Sequence, residues 1–189
     1  YDTIEEPLLE VLEYMKETGI SLDTTYLKEL SKKMHRELSS IEKKIHKLGK
    51  SEFNINSPKQ LGEVLYDTLE LKPKNQKRTA TGQRSTKESE LEKLIEDHEI
   101  IPLILRYREL QKLLGTYIDN LPEMVGNDGR LHTTFIQTGA VTGRMASQNP
   151  GLQNIPIRSE EGRAIRNAFV ADRGSVSYTH LRAHETKPN

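Results

Sequence analysis

Apolar residues keep a helical period through the first two-thirds of the chain. Over residues 4–17, Ile4, Leu8, Leu9, Val11, Leu12 and Met15 return to one side, and Gly19 follows as a residue suited to end a helix. Leu27, Leu30, Met34, Leu38, Ile41, Ile45 and Leu48 recur three and four apart. They predict a longer helix over about 23–48, with Lys and Glu dominating its outer side and Gly49 after its end. In FNINSPKQL, Ser57 is a ready N-cap and Pro58 a ready first helical residue for a third helix carrying Leu61, Val64, Leu65 and Leu69. Ser85-Thr86-Lys87-Glu88 has the capping-box spacing and predicts a helix through Leu91, Leu94 and Ile95. Pro102 opens a further predicted helix running to about Leu121.

Beyond Gly126 the pattern changes. LHTTFIQTGAVT, residues 131–142, is rich in β-branched residues and alternates loosely, which predicts a strand or hairpin. NPGLQNIPIR has two prolines and no helical period, so it reads as irregular backbone. EEGRAIRNAFVA reads as a short helix turning into a strand. Helices followed by β structure give an α+β fold, with the boundary near 122–130 and no internal repeat.

Composition sharpens this picture. A hydrophobic share of 34% with 30% charged residues is lean for a compact globule, and predicts an elongated or lobed helix-rich molecule or a piece of a larger one. No apolar run of membrane-spanning length occurs, and the N-terminus has no signal-peptide pattern. It also has no initiator Met, so the chain is expected to begin inside a longer protein. With no cysteine, disulfides, thiol catalysis and cysteine-bound zinc are excluded together. The formal net charge of zero conceals segregation. Residues 1–17 are acidic, whereas LKPKNQKRTATGQRSTK, residues 71–87, carries Lys72, Lys74, Lys77, Arg78, Arg84 and Lys87 with no acid. Such a block can meet a polyanion, or remain a solvated basic loop.

Three segments carry candidate chemistry. Thr142-Gly143-Arg144 precedes NPGLQNIPIR and then Arg163 and Arg166; amides and guanidiniums on stiff backbone suit nucleotide edges and phosphates, or form a polar turn cluster. The basic block runs into Ser85 and Thr86 at a predicted helix start, a phosphate site or ordinary capping. Arg108 and Lys112 share one helix face, either functional or solvated and paired with Glu109.

The order of these segments resembles family A DNA polymerases of the bacterial DNA polymerase I type. The similar pieces are IEEPLLEVLEYMKETGISLD, FNINSPKQL, GQRSTKESELEKL, LRYRELQKLLGTYIDNLP and, most specifically, DGRLHTTFIQTGAVTGRMASQNPGLQNIPIRSEEGRAIRNAFVA. The resemblance implies that residues 1–122 are mainly a helical thumb, with a preceding palm-linking helix, and that 123–175 begin a palm left incomplete at the C-terminus. Asn54, Ser57, Arg108 and Lys112 fall on DNA-contacting positions. Lys77, Arg78, Arg84, Ser85 and Thr86 would form the thumb tip on the duplex backbone. Arg144 matches the arginine that enters the minor groove at the primer terminus. Gln153, Asn154 and Arg158 match polar positions near the template and primer ends. Gly151 and Ala146 depart from the family's usual Asn and Ser.

The implied partners are primer–template DNA and, in the parent enzyme, deoxynucleoside triphosphates. A monomer in the bacterial cytoplasm, at the nucleoid and away from membranes, is the matching expectation. The parent's chemistry uses magnesium held by aspartates. The segment that would supply the first of them, resembling SADYSQIELR, is replaced here by SVSYTHLRAHET. No catalytic or metal residue is therefore assigned, no magnesium is expected to bind this piece, and residues 176–189 are expected to be a non-native tail. His180, His184 and Glu185 resemble a metal trio only by spacing and lack a supporting fold. The rival expectation is a non-catalytic helical interaction protein or a free-standing DNA-binding module.

Overall fold

The computed structural model describes residues 2–73, 82 and 84–172. It divides into two compact units: residues 32–114 form one, and the residues before and after them form the other.

The 32–114 unit is helical. Most of α2 (Thr24–Leu48) lies in it, followed by α3 (Pro58–Glu63), α4 (Glu88–Leu91) and α5 (Ile100–Leu113). Met34, Leu38, Ile41 and Ile45 of α2 are buried together with Leu61, Leu65, Leu91, Leu94, Ile100, Ile104 and Leu110. Fully burying one such side chain contributes roughly 1.5–3 kcal/mol, and these residues make the core. Ser57 caps α3 as expected, accepting the Gln60 N–H at 3.5 Å with Pro58 following. α3 then widens into a π-helical turn, Val64–Thr68, closed by the Leu69 N–H on the Val64 carbonyl at 2.9 Å. Val64, Leu65 and Tyr66 are all buried in succession, more than a narrow 3.6-residue stripe can hide.

The expected capping box at Ser85 does not form. α4 starts at Glu88, Lys87 is its N-cap without a side-chain bond, and the Ser85 hydroxyl accepts the Lys87 N–H at 3.3 Å. The cause is tertiary: the carbonyls of Ser85 and Thr86 are taken by Tyr66 and Arg108, which holds 85–86 outside the helix. α4 passes into a 3-10 turn at Glu92–Leu94, leaving Ile95 exposed. α5 opens two residues before Pro102, its Ile100 N–H bonded to His98 Nδ1 at 3.1 Å, because Ile100 and Ile101 are both buried.

The other unit combines α1 (Glu5–Thr18), β1 (Ile20–Leu22), α6 (Asn120–Glu123), β2 (Arg130–Leu131), β3 (Thr134–Ile136), β4 (Ala146–Gln148), α7 (Glu160–Arg166) and β5 (Phe169–Val170). Among the described residues β1 is the centre of an antiparallel sheet, order β2-β1-β5, in which Ser21 faces Arg130 on one side and Val170 on the other. The sequence pattern gave no sign of this three-residue strand. The segment expected as a strand or hairpin contains Leu131, the end of β2, and all of β3, and β3 finds its hairpin partner in β4, with Phe135 opposite Ser147. Gly19 between α1 and β1 has φ 62°, and a Cβ there would lie 2.7 Å from the His132 ring and 2.9 Å from the Leu131 carbonyl oxygen. Only glycine meets both demands. The segment 160–170 forms the predicted helix and strand, with Ser159 capping α7 through the Gly162 N–H at 3.1 Å.

Candidate nucleic-acid interface

In the 32–114 unit, Asn54 and Ser57 belong to one capped turn: the Ser57 N–H bonds the Asn54 carbonyl at 2.9 Å, and Asn54 Oδ1 accepts the Asn56 N–H at 2.9 Å. Asn54 is exposed and Ser57 half-buried. Pro58, Lys59, Gly62, Glu63 and Asp67 line a cleft closed on its other wall by Gly82 and Arg84. Arg84 is ion-paired with Asp67 and stands over the Tyr66 ring, 5.0 Å from its centroid. The Tyr66 hydroxyl donates to the Ser85 carbonyl at 2.7 Å. This buried tyrosine organises the 84–86 segment, yet its apolar neighbours in the sequence disguise it as core.

Ser85 and Thr86 are each 5% exposed, so their side chains face inward. Arg108 reaches Thr86, donating Nη1 to its carbonyl and Nη2 to its hydroxyl at 3.4 Å. Burial lowers the Arg108 pKa from its ordinary value, and Tyr66 and Glu88 oppose that shift. Lys112, one helical turn further along α5, is exposed. Glu109 pairs with Arg106, which also bonds Glu37 at 3.0 Å, and so does not neutralise Arg108. Lys77 and Arg78 lie outside the described residues, as does the tail with His180, His184 and Glu185.

In the other unit, Arg144 is exposed in the turn that leads into β4. A 3-10 turn, Leu152–Asn154, is fastened to that strand by Ser147: its hydroxyl accepts the Leu152 N–H at 3.0 Å and the Gln153 N–H at 3.3 Å. Gln153 Oε1 accepts the Ser147 N–H at 3.0 Å, so this amide is partly spent on fixing the turn. Asn154 and Arg158 are exposed. Arg163 and Arg166, for which the sequence left nucleotide contact and a polar turn cluster open, donate to the carbonyls of Arg158, Ile155 and Pro156 at 2.9–3.3 Å. They stiffen the backbone that presents Asn154 and Arg158.

Arg130 was not foreseen. It donates to the Thr18 and Gly19 carbonyls at 2.6 and 3.1 Å, to the Ser21 hydroxyl at 3.1 Å, and to both Asp172 oxygens at 2.9 and 3.0 Å. Arg130 and then Ser21 lower the Asp172 pKa from its ordinary value. That carboxylate is committed to structure. Among the described residues no group of three or more His, Asp or Glu side chains converges to hold a metal ion.

The family model for DNA polymerase family A matches residues 24–181. This chain belongs to DNA polymerase family A. Among family members, it is 52% identical over 175 residues to DNA polymerase I of Deinococcus radiodurans, covering 92% of this chain and 18% of that protein. It is 48% identical over 177 residues to the thermostable DNA polymerase I of Thermus thermophilus, covering 93% of this chain and 21% of the relative. The chain thus spans about a fifth of the length of the curated relatives it matches. A solved family structure, the POL domain of Pol1 from M. smegmatis in complex with DNA primer-template and dNTP, matches with a TM-score of 0.83 and 38% identity, covering 92% of this chain and 30% of that one. Among the described residues no helix is long and apolar enough to cross a membrane.

Proposed function

We propose that this chain is the part of a DNA-directed DNA polymerase that grips the primer–template duplex and senses the primer end. Residues 1–122 would serve mainly as thumb and 123–175 as the beginning of the palm. The observation that carries the reading is the likeness to a polymerase domain solved with primer-template and dNTP, over 92% of this chain. Asn54, Ser57, Lys77, Arg78, Arg84 and Lys112 supply sequence-blind backbone contacts. Arg108, Ser85 and Thr86 hold that surface in shape from beneath.

Arg144 reads the primer terminus. The minor groove offers the purine N3 and pyrimidine O2 acceptors in every Watson–Crick pair, so one guanidinium accepts all correct pairs and loses its partner at a mispair. Gln153, Asn154 and Arg158 flank it. The magnesium ions and deoxynucleoside triphosphates belong to the parent enzyme; no step through them follows from the described residues.

Fluorescence anisotropy with a primer–template duplex tests this reading. Each phosphate contact removed by Arg84→Ala or Lys112→Ala should flatten the plot of log affinity against log salt by about 0.9. Arg144→Ala should weaken binding to a matched primer end and leave a mismatched end nearly unchanged. Primer extension by the chain alone should give no incorporation. Unchanged slopes in both lysine and arginine variants would overturn the grip, and incorporation would overturn the inactivity.

A further inference from the structure

The outer face of α2 is not used by the proposed thumb surface, and its chemistry is distinct. From residue 32 to residue 50 the exposed positions are Lys32, Lys33, His35, Arg36, Ser39, Ser40, Lys43, Lys44, Lys47 and Lys50. No acid is exposed among them. The two acids of this stretch sit lower on the helix: Glu37 bonds Arg106, and Glu42 is half-buried beside Tyr107. Lys32, Arg36, Ser39, Lys43 and Lys47 recur three or four apart and fall within a sector of about 80° at 3.6 residues per turn. Met34, Leu38, Ile41 and Ile45 occupy the opposite, buried side. His35, Arg36, Ser39, Ser40 and Lys43 line a shallow depression on this face, where hydroxyls stand between cations.

Like charges crowded on one helix face repel, and they persist most economically where an anion is to be met. From Lys32 to Lys47 the face extends about 22 Å, roughly six base-pair steps of one DNA strand at about 3.4 Å each. It also differs in direction from the thumb surface. Arg106 and Arg108 are two residues apart, about 200° around α5. The first reaches Glu37 on α2 and the second reaches Thr86, so α2 and the 85–86 segment lie on opposite sides of α5.

We propose that the outer face of α2 from Lys32 to Lys47 is a second nucleic-acid surface, which binds the phosphate backbone without regard to base sequence. The partner is chosen by charge complementarity and by the backbone-sized length of the face. The face would hold nucleic acid whether or not the thumb surface grips a primer end.

The test uses the whole 189-residue chain. Arg36→Gln, Lys43→Gln, Lys44→Gln and Lys47→Gln are combined in one variant; glutamine matches lysine in helix propensity, and far-UV circular dichroism checks the fold. The probes are a blunt duplex about two turns long, the corresponding single strand, and vesicles containing an anionic phospholipid. The salt slope should fall by about 0.9 per contact for the duplex, thus by about 3 to 4 for all four, and by about 0.7 per contact for the single strand. A Lys43→Arg, Lys44→Arg, Lys47→Arg variant should keep it. Whichever of duplex or single strand loses more identifies the preferred form. The proposal is overturned if the glutamine variant folds and keeps its nucleic-acid slope, if the arginine variant loses it as well, or if only vesicle binding falls. A parallel Arg84→Gln, Lys112→Gln variant separates the two surfaces. Loss there alone sinks the α2 face and leaves the thumb reading standing; loss in the α2 variant alone does the reverse.

Discussion

At the C-terminal turn of α1, the His132 ring donates Nδ1–H to the Lys16 carbonyl at 2.7 Å and Nε2–H to the Asp128 carboxylate at 3.0 Å. Both donations together need the imidazolium. The Lys16 carbonyl first, and then Asp128, raise the His132 pKa from its ordinary value of 6.5, while nearby Arg130 opposes them. Asp128 is lowered from 3.8, first by the Arg130 N–H and then by His132. For a raised histidine, the folded state binds the proton more tightly than the unfolded chain does. Its stabilisation is fully present below about 6.5 and is lost as pH rises through the folded value. The depressed aspartate acts in the opposite sense: its contribution is present above about 3.8 and is lost as pH falls through the folded value. The tie between α1 and β2 should therefore be firmest in mildly acidic solution. An NMR titration should place the His132 midpoint above that of a free histidine, and Asp128→Asn should move it downward.

The segment from β4 to α7 owes its shape to side chains bonding their own backbone. Ser147→Ala strands the N–H groups of Leu152 and Gln153, and at about 1 kcal/mol for each lost bond should cost roughly 1–2 kcal/mol. Gly162 matters through contact: a Cβ there would lie 2.4 Å from the Pro156 carbonyl oxygen. Because that neighbour is backbone, Gly162→Ala must push α7 off the 155–158 strand of chain, at an overpacking cost of about 1–3 kcal/mol. Urea titration of both variants measures these costs. The same bonds explain what the sequence reveals and what it hides. Long periodic stripes such as Leu27 to Leu48 announce α2 almost to its ends, and Ser57-Pro58 announces α3, because local signals set those boundaries. β1 is invisible because three residues have no period, and its existence depends on partners more than a hundred residues away. For Arg163 and Arg166 composition left nucleotide contact and a polar turn cluster both open, and the resemblance put Gln153 near the primer and template ends; each spends donors or acceptors on nearby backbone. Their residue types state what they can bond, and only the fold states what they do bond.

The two units differ in how the chain builds them. Residues 32–114 are continuous, and their core comes from neighbours along the sequence. The other unit needs chain from both sides of that insert, and β1 is where the pieces meet: Ser21 pairs with Arg130 and with Val170, and its hydroxyl bonds Asp172 at 2.8 Å. A proline at this central position removes a ladder N–H and is excluded from the middle of a sheet. Ser21→Pro should therefore act unevenly across the molecule. In hydrogen exchange, amides of 130–131 and 169–170 should lose protection, because both outer strands lose the strand they share. Amides of 103–110, on α5, should keep theirs, since Ile104, Tyr107 and Leu110 of that helix stay buried in a unit that the sheet does not build. Equal loss in both regions would mean that the chain unfolds as one cooperative body; loss confined to the sheet would mean that the helical unit holds its own stability.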